Sequence, residues 1–520
     1  MTLQNAFGIA CLAFIAATRA AHAAEQHNLV LLVPESMQSA NVSDGATPAL
    51  ARLRGEGVYF IDSYTGFPEL RSKRHAALPA VSSSEGLVAV ATSSHYSAAL
   101  VDEDGAQLDT VLRETLPRFK EASRPFLLVY RVGGLARTMY LPAKSLMSSN
   151  PGGDGAAGSI LLNTDHALAA LEGKLKELGL YDATNIVVAA EHGRSTIWKA
   201  STTSPSLELS FKGVPARTLP PGFLALDLLR ALMVEDAGLS LYDPETDNVR
   251  LNWWAGSYPR LGDATIAVTP SSSYAEIETR GGFDLIYMPE PLGRAELTHR
   301  ARFIVDKMFS QDYVSGVFVN ERRVGRIDGA LSIEHLNAGD DTAEQLPDIV
   351  VSFVSSTMNC RHPTICAVAV ADTPIQEGHD VAVGLSRAET SNFMAARGPD
   401  FRANFISRTP ASNQDLVRTI EALLRGGSRG RQRADSRILT ESLRGGERFR
   451  EPAVKKRVIM SRPTENDEVT EVHLLSVGPV SYFYAAGGPG RTVGVPQRES
   501  SEWRWDWPKW RRFTIQVSPD

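Results

Sequence analysis

Glu35, Glu191 and His192 carry side chains of the kinds that can hold a metal ion. Glu191 and His192, followed by Gly193, close the apolar run Asn185-Ile186-Val187-Val188-Ala189-Ala190. Glu35 closes an earlier run of the same kind, His27-Asn28-Leu29-Val30-Leu31-Leu32-Val33-Pro34. Carboxylate oxygens and imidazole nitrogens are ligands that zinc takes, three or four at a time. A different chemistry sits at Arg71, Lys73 and Arg74, a basic run after the turn Phe67-Pro68, where guanidinium groups would hold an anion. Each group also has a plainer reading. A lone carboxylate at a strand end is ordinarily solvated, a lone His ordinarily structural, and a charge run ordinarily a surface.

The elements that must position these residues follow from hydrophobic patterning. Short apolar runs bounded by turn residues read as buried strands, and their alternation with helical patterns gives a βαβ reading to about residue 200. Thr47 to Phe60 reads as a helix and a second strand, Pro125 to Tyr130 as a further strand, and Leu161 to Gly179 as the helix leading into the strand before Glu191. Residues from about 205 to 345 form an insertion, with strands at Asp284–Tyr287 and Ser315–Val319. The core resumes near Pro347 and ends with a helix from Ser412 to Leu424. Residues 425–456 read as a basic linker, 457–496 as a β-rich appendage and 497–520 as a tail rich in Trp and Arg; no internal repeat is visible.

Taken together, these segments resemble the bacterial type I phosphodiesterase/nucleotide pyrophosphatase family of the alkaline phosphatase superfamily, over roughly residues 27 to 495. In that family the first strand ends in a zinc-binding Asp, here Glu35, and an Asp-His-Gly motif supplies two more ligands, here Glu191-His192-Gly193. The family's Phe/Tyr-Pro-Thr-x-Thr-x-x-Asn carries the nucleophile and a phosphate-binding Asn. Against Phe67-Pro68-Glu69-Leu70-Arg71-Ser72-Lys73-Arg74, those positions fall on Arg71 and Arg74, with Ser72 an off-register hydroxyl. The second metal fares worse: its ligand positions fall on Gly134, Thr138 and Ala382. Segments such as Thr390-Ser391-Asn392-Phe393-Met394 and Gly398-Pro399-Asp400-Phe401-Arg402 agree closely with the family.

The resemblance implies an alkaline-phosphatase-like three-layer α/β core over residues 24–424, with a mostly parallel sheet and a cap made by the insertion. It also implies lost catalysis, because the family's displacement needs a metal-activated oxygen and a second metal nearby. The expectation is a non-catalytic member that binds an anionic small molecule or a protein partner and needs no cofactor. The competing expectation is a residual phosphate- or sulfate-ester hydrolase using one zinc or other divalent metal at Glu35, Glu191 and His192. Two remaining carboxylates without zinc must be neutralised otherwise, so Arg71 or Arg74 is expected to pair with Glu35 or Glu191.

Other features bound the compartment. Residues 1–23 read as a secretory signal, with an apolar core from Phe7 to Ala17 and a cleavage site at Ala21-His22-Ala23, so a periplasmic or secreted protein is expected. Cys360 and Cys366 bracket a short loop and read as a local disulfide. A net charge of -6 argues against a nucleic-acid partner, and no later segment has the length of a membrane span. Gly426-Gly427-Ser428-Arg429-Gly430 matches a serine-hydrolase pattern in letters only, since it follows a helix and opens a basic loop. In the tail, Trp503, Trp505, Trp507 and Trp510 alternate with charged residues. Two readings stay open there, a terminal strand packed on the core and a surface for peripheral contact with an anionic membrane or a partner.

Overall fold

The computed structural model describes residues 26–68, 70, 82–102, 107–132, 156–234, 236–246, 248–269, 272–288, 292–336, 346–357, 364–381, 384–426, 435–445, 452–497 and 514–519. The described residues form a mixed α/β protein with two large sheets, two four-stranded sheets, one of them C-terminal, and a two-stranded one. The signal region, Arg71, Ser72, Arg74, Gly134, Thr138, Cys360, Ala382 and the Trp503–Trp510 segment lie outside the described residues.

The first sheet has seven strands, in the order Phe405–Ser407, Val58–Phe60, Met394–Arg397, Thr184–Ala189, Asn28–Pro34, Phe126–Val132 and Ser97–Asp102. All run parallel except Met394–Arg397. Asn28–Pro34 is apolar at nearly every position because both of its faces are covered, as expected of a central parallel strand. Val30 and Leu32 pack with the helices Pro48–Glu56 and Ala156–Glu177 through Leu50, Leu53, Leu168 and Leu171. Leu29, Leu31 and Val33 face the opposite way, against Leu87 and Ala91 of Ser82–Ser93 and Leu416 and Ile420 of Asn413–Leu424. The Ala156–Glu177 helix stops at Gly179, whose φ of 68° is the left-handed conformation of a helix C-terminus. Asn413–Leu424 starts from a capping box made by Ser412 and Asp415.

The insertion folds into an eight-stranded, mainly antiparallel sheet, and it reaches further than the sequence suggested. Ile349–Phe353, expected to resume the core, pairs with Phe283–Tyr287 and Val314–Val319 of the second sheet. An apolar run specifies burial but not which sheet buries it. One face of this sheet carries the helices Phe223–Leu232 and Arg294–Phe309. The other face, through Phe283, Leu285, Phe318 and Val350, packs on Ile459, Val472, Leu474 and Phe483 of the C-terminal sheet.

That C-terminal sheet begins at Val454 and includes Thr514–Pro519, which runs parallel beside Val454–Met460. The end of the expected tail is therefore a strand of the appendage. The described part of the expected linker is packed as well. Leu439 is buried in the core, and Arg437 donates to both oxygens of Glu441 (2.8 and 2.5 Å) and to the Tyr482 hydroxyl (2.9 Å).

Candidate functional site

Open α/β sheets bind ligands beyond the carboxyl ends of their strands, where the chain order switches direction. Asn28–Pro34 occupies that place here: the next strand lies to one side, beyond Thr184–Ala189, and the following two lie on the other. Glu35 and Glu191 sit at the ends of these adjacent parallel strands. Backbone bonds lock the two ends together, from Glu191 N to Pro34 O (2.9 Å), His192 N to Glu35 O (3.1 Å) and Met37 N to His192 O (3.0 Å). Glu35, Glu191 and His192 are thus brought to one place in the fold.

Their chemical state follows from burial. Glu35 is almost wholly buried, whereas Glu191 and His192 are half-buried. Burial desolvates the His192 ring and lowers its pKa to about 4, although the residue as a whole keeps some exposure. The imidazole is neutral at physiological pH, and the described residues give it no hydrogen-bond partner. No three His, Cys, Asp or Glu side chains among the described residues are grouped to hold a metal ion, Glu35, Glu191 and His192 included. Cys366 is disulfide-bonded.

A second layer, not foreseen from the sequence, holds the Glu191 end in place. The Asn392 amide donates to Ala190 O (2.6 Å) and to Asn413 Oδ1 (2.9 Å), and Asn413 donates to the carbonyls of Ala190 (3.0 Å) and Glu191 (3.2 Å). The Ser195 hydroxyl donates to Glu389, whose buried carboxylate also caps its own short helix through Ser386 N (2.9 Å). Desolvation raises the Glu389 pKa against these hydrogen bonds. The clue was the segment Thr390–Met394, prominent in the sequence but without an assigned role.

Arg131 was also overlooked. It is the penultimate residue of Phe126–Val132, in register with Val33 of the strand that leads to Glu35, and its Nη1 lies 3.3 Å from Asp102. Its Nε and Nη2, the edge that grips an oxyanion with two parallel hydrogen bonds, are buried with no acceptor among the described residues. A cavity of about 270 Å³ lies elsewhere, at the amino ends of the strands, lined by Thr184, Gly398 and Arg402 among others. The chemistry of the carboxyl ends locates the candidate site better than that cavity does.

No protein-family model and no curated protein matches this chain. No helix among the described residues is long and apolar enough to cross a membrane.

Proposed function

We propose that the chain is an exported, non-catalytic member of the type I phosphodiesterase/nucleotide pyrophosphatase family, with an alkaline-phosphatase-like core, a capping insertion and a β-rich appendage. Its role is to bind an anionic ligand, or a protein partner presenting one, at the carboxyl ends of the first sheet. The observation that carries this reading is the locked pair of strand ends bearing Glu35 and Glu191, with Arg131 on the neighbouring strand, whose bidentate edge lacks an acceptor among the described residues. In place of the family's nucleophile the chain has Arg71, and Arg74 replaces the phosphate-binding Asn. The expected compartment is the periplasm or the exterior.

The purified protein is expected to hydrolyse nitrophenyl phosphate mono- and diesters no faster than a buffer control, with zinc, manganese or magnesium added. Metal-dependent turnover that disappears in Glu191→Ala would overturn the non-catalytic reading. A second reading, a one-metal hydrolase, is favoured by one observation: His192 is neutral and its ring has no hydrogen-bond partner among the described residues, the state in which imidazole binds a metal. Metal content of the purified protein separates the two. If guanidinium has replaced zinc as the countercharge for Glu35 or Glu191, Arg71→Ala lowers the melting temperature, because a carboxylate left without its countercharge is costly. An unchanged melting temperature would count against that role for Arg71.

A further inference from the structure

The cavity at the amino ends of the strands lies at the opposite end of the first sheet from Glu35 and Glu191. Its lining includes Glu56, Asp182, Arg397, Arg402 and Arg444. Arg402 and Arg444 come from two chain segments joined by an antiparallel bridge between Phe401 and Leu443. Arg402 N donates to Ser442 O (2.9 Å) and Arg444 N to Asp400 O (2.8 Å). The side chains repeat that reciprocity: Arg402 Nε donates to Leu443 O (3.1 Å) and Arg444 Nε to Phe401 O (2.7 Å). Arg402 also lies over the Phe405 ring, 5.5 Å from its centroid.

This arrangement fixes two guanidinium groups of the cavity lining by their Nε atoms and leaves their terminal Nη atoms with no acceptor among the described residues. Like charges held together in this way repel unless an anion sits between them. The other charges of the cavity do not supply it. Glu56 is bonded to Arg397 (2.8 Å), which also stacks on Tyr181 at 4.9 Å. Asp182 is exposed and has no hydrogen-bond partner among the described residues, but a carboxylate also accepts hydroxyl groups. At about 270 Å³ the cavity is at the small end of ligand pockets.

We propose that this cavity binds a small hydroxylated phosphate ester, with Arg402 and Arg444 gripping the phosphoryl oxygens and Asp182 accepting the ligand's hydroxyl hydrogens. The site is separate from the one at the carboxyl ends and does not depend on the function proposed for it. Arginine holds a tetrahedral oxyanion through parallel charge-assisted hydrogen bonds, and anchoring through Nε keeps the remaining donors pre-oriented.

Calorimetric titration of the full chain with inorganic phosphate, sulfate and glycerol 3-phosphate tests the assignment, with thermal melts confirming that each variant is folded. Glycerol 3-phosphate is expected to bind more tightly than inorganic phosphate or sulfate. Arg444→Gln, at an exposed position, is expected to weaken it about tenfold or more, the loss of one charge-assisted contact. Asp182→Asn is expected to erase the preference for glycerol 3-phosphate over phosphate, and Arg71→Gln with Arg74→Gln to leave the affinity unchanged. No detectable binding by the wild type would overturn the proposal, as would equal affinity in Arg402→Gln/Arg444→Gln. Loss of binding in the Arg71/Arg74 variant would overturn it too, by placing the ligand at the other end of the sheet. Equal binding of sulfate and glycerol 3-phosphate would overturn the ester assignment.

Discussion

Asp372→Asn should remove the share of pH-dependent stability that the wild type loses between about pH 4 and pH 8 as Asp372 ionises. Asp284, on Phe283–Tyr287, and Asp372, just after Ala367–Val370, are both fully buried. Their carboxyl groups interact, Thr279 favours the charged form of Asp284, and among the described residues no donor reaches good hydrogen-bond geometry at either oxygen of Asp284 or at Oδ2 of Asp372. Two carboxylates offer only acceptors, so the pair is satisfied when it shares one proton. Desolvation and the neighbouring Asp372 push Asp284 well up, and desolvation raises Asp372 to about 7.

The surrounding groups only partly offset this. Gly222 N donates to Asp372 Oδ1 (2.6 Å), the Lys199 ammonium favours the charged form of Asp372, and Asp263 opposes ionisation of Asp284. Lys199 itself is lowered to about 8 by desolvation and donates to Thr373 O (2.5 Å). A carboxyl whose folded pKa lies above its unfolded value contributes stability that is complete below the unfolded pKa. That contribution is lost as pH rises through the folded pKa. For Asp372 the window runs from 3.8 to about 7, and at roughly 1.4 kcal/mol per pKa unit the loss is on the order of 4 kcal/mol. An Asn at 372 keeps an acceptor for Gly222 N, can donate to Asp284 and carries no proton to lose. Denaturant midpoints at pH 4.5, 6 and 8 decide the matter: parallel profiles for wild type and Asp372→Asn would refute the assignment of this loss to Asp372.

Gly193→Ala should be the most damaging single methyl in the candidate site. An added Cβ would lie 1.9 Å from Ala388 O and 2.2 Å from Ser391 O, both backbone atoms. The two segments touch here because Gly193 N donates to Glu389 O (2.8 Å) and Arg194 N to Ala388 O (3.0 Å). Separating them would break those bonds and the Ser195–Glu389 contact together. A loss of about 3 kcal/mol or more is expected from overpacking combined with unsatisfied buried groups. Gly173→Ala is the matched control. It lies inside the Ala156–Glu177 helix with open space where a Cβ would go, so it should stabilise by roughly 0.5–1 kcal/mol. If Gly193→Ala melts with the wild type, the close approach is not as drawn.

Much of the first sheet was legible because its central strands are buried on both faces and so appear as unbroken apolar runs, as at Asn28–Pro34 and Thr184–Ala189. The helix after Ser412 was legible because its cap is written locally, in Ser412 and Asp415. Partner choice is not local. Ile349–Phe353 looks the same whether it joins one sheet or the other, and Asp284 and Asp372 meet only through the folded chain. Arg437 and Glu441 would spell the same letters on a solvated linker, where the pair would contribute little. Of the expected site, Glu35 and Glu191 come together because parallel strands align their ends. The Asn392–Asn413 support escaped notice because amide side chains carry no spacing rule.

The pairing of the second sheet with the C-terminal strands has a consequence for biosynthesis. Phe283, Leu285, Phe318 and Val350 leave the ribosome well before Ile459, Val472 and Phe483, which cover them. Until those later strands emerge, the growing polypeptide displays a wide greasy surface with nothing to shield it. A nascent chain in that condition invites aggregation and is a natural client for holding chaperones. A ribosome stalled shortly before Val454 would therefore release a sticky fragment, and not a smaller version of the same protein.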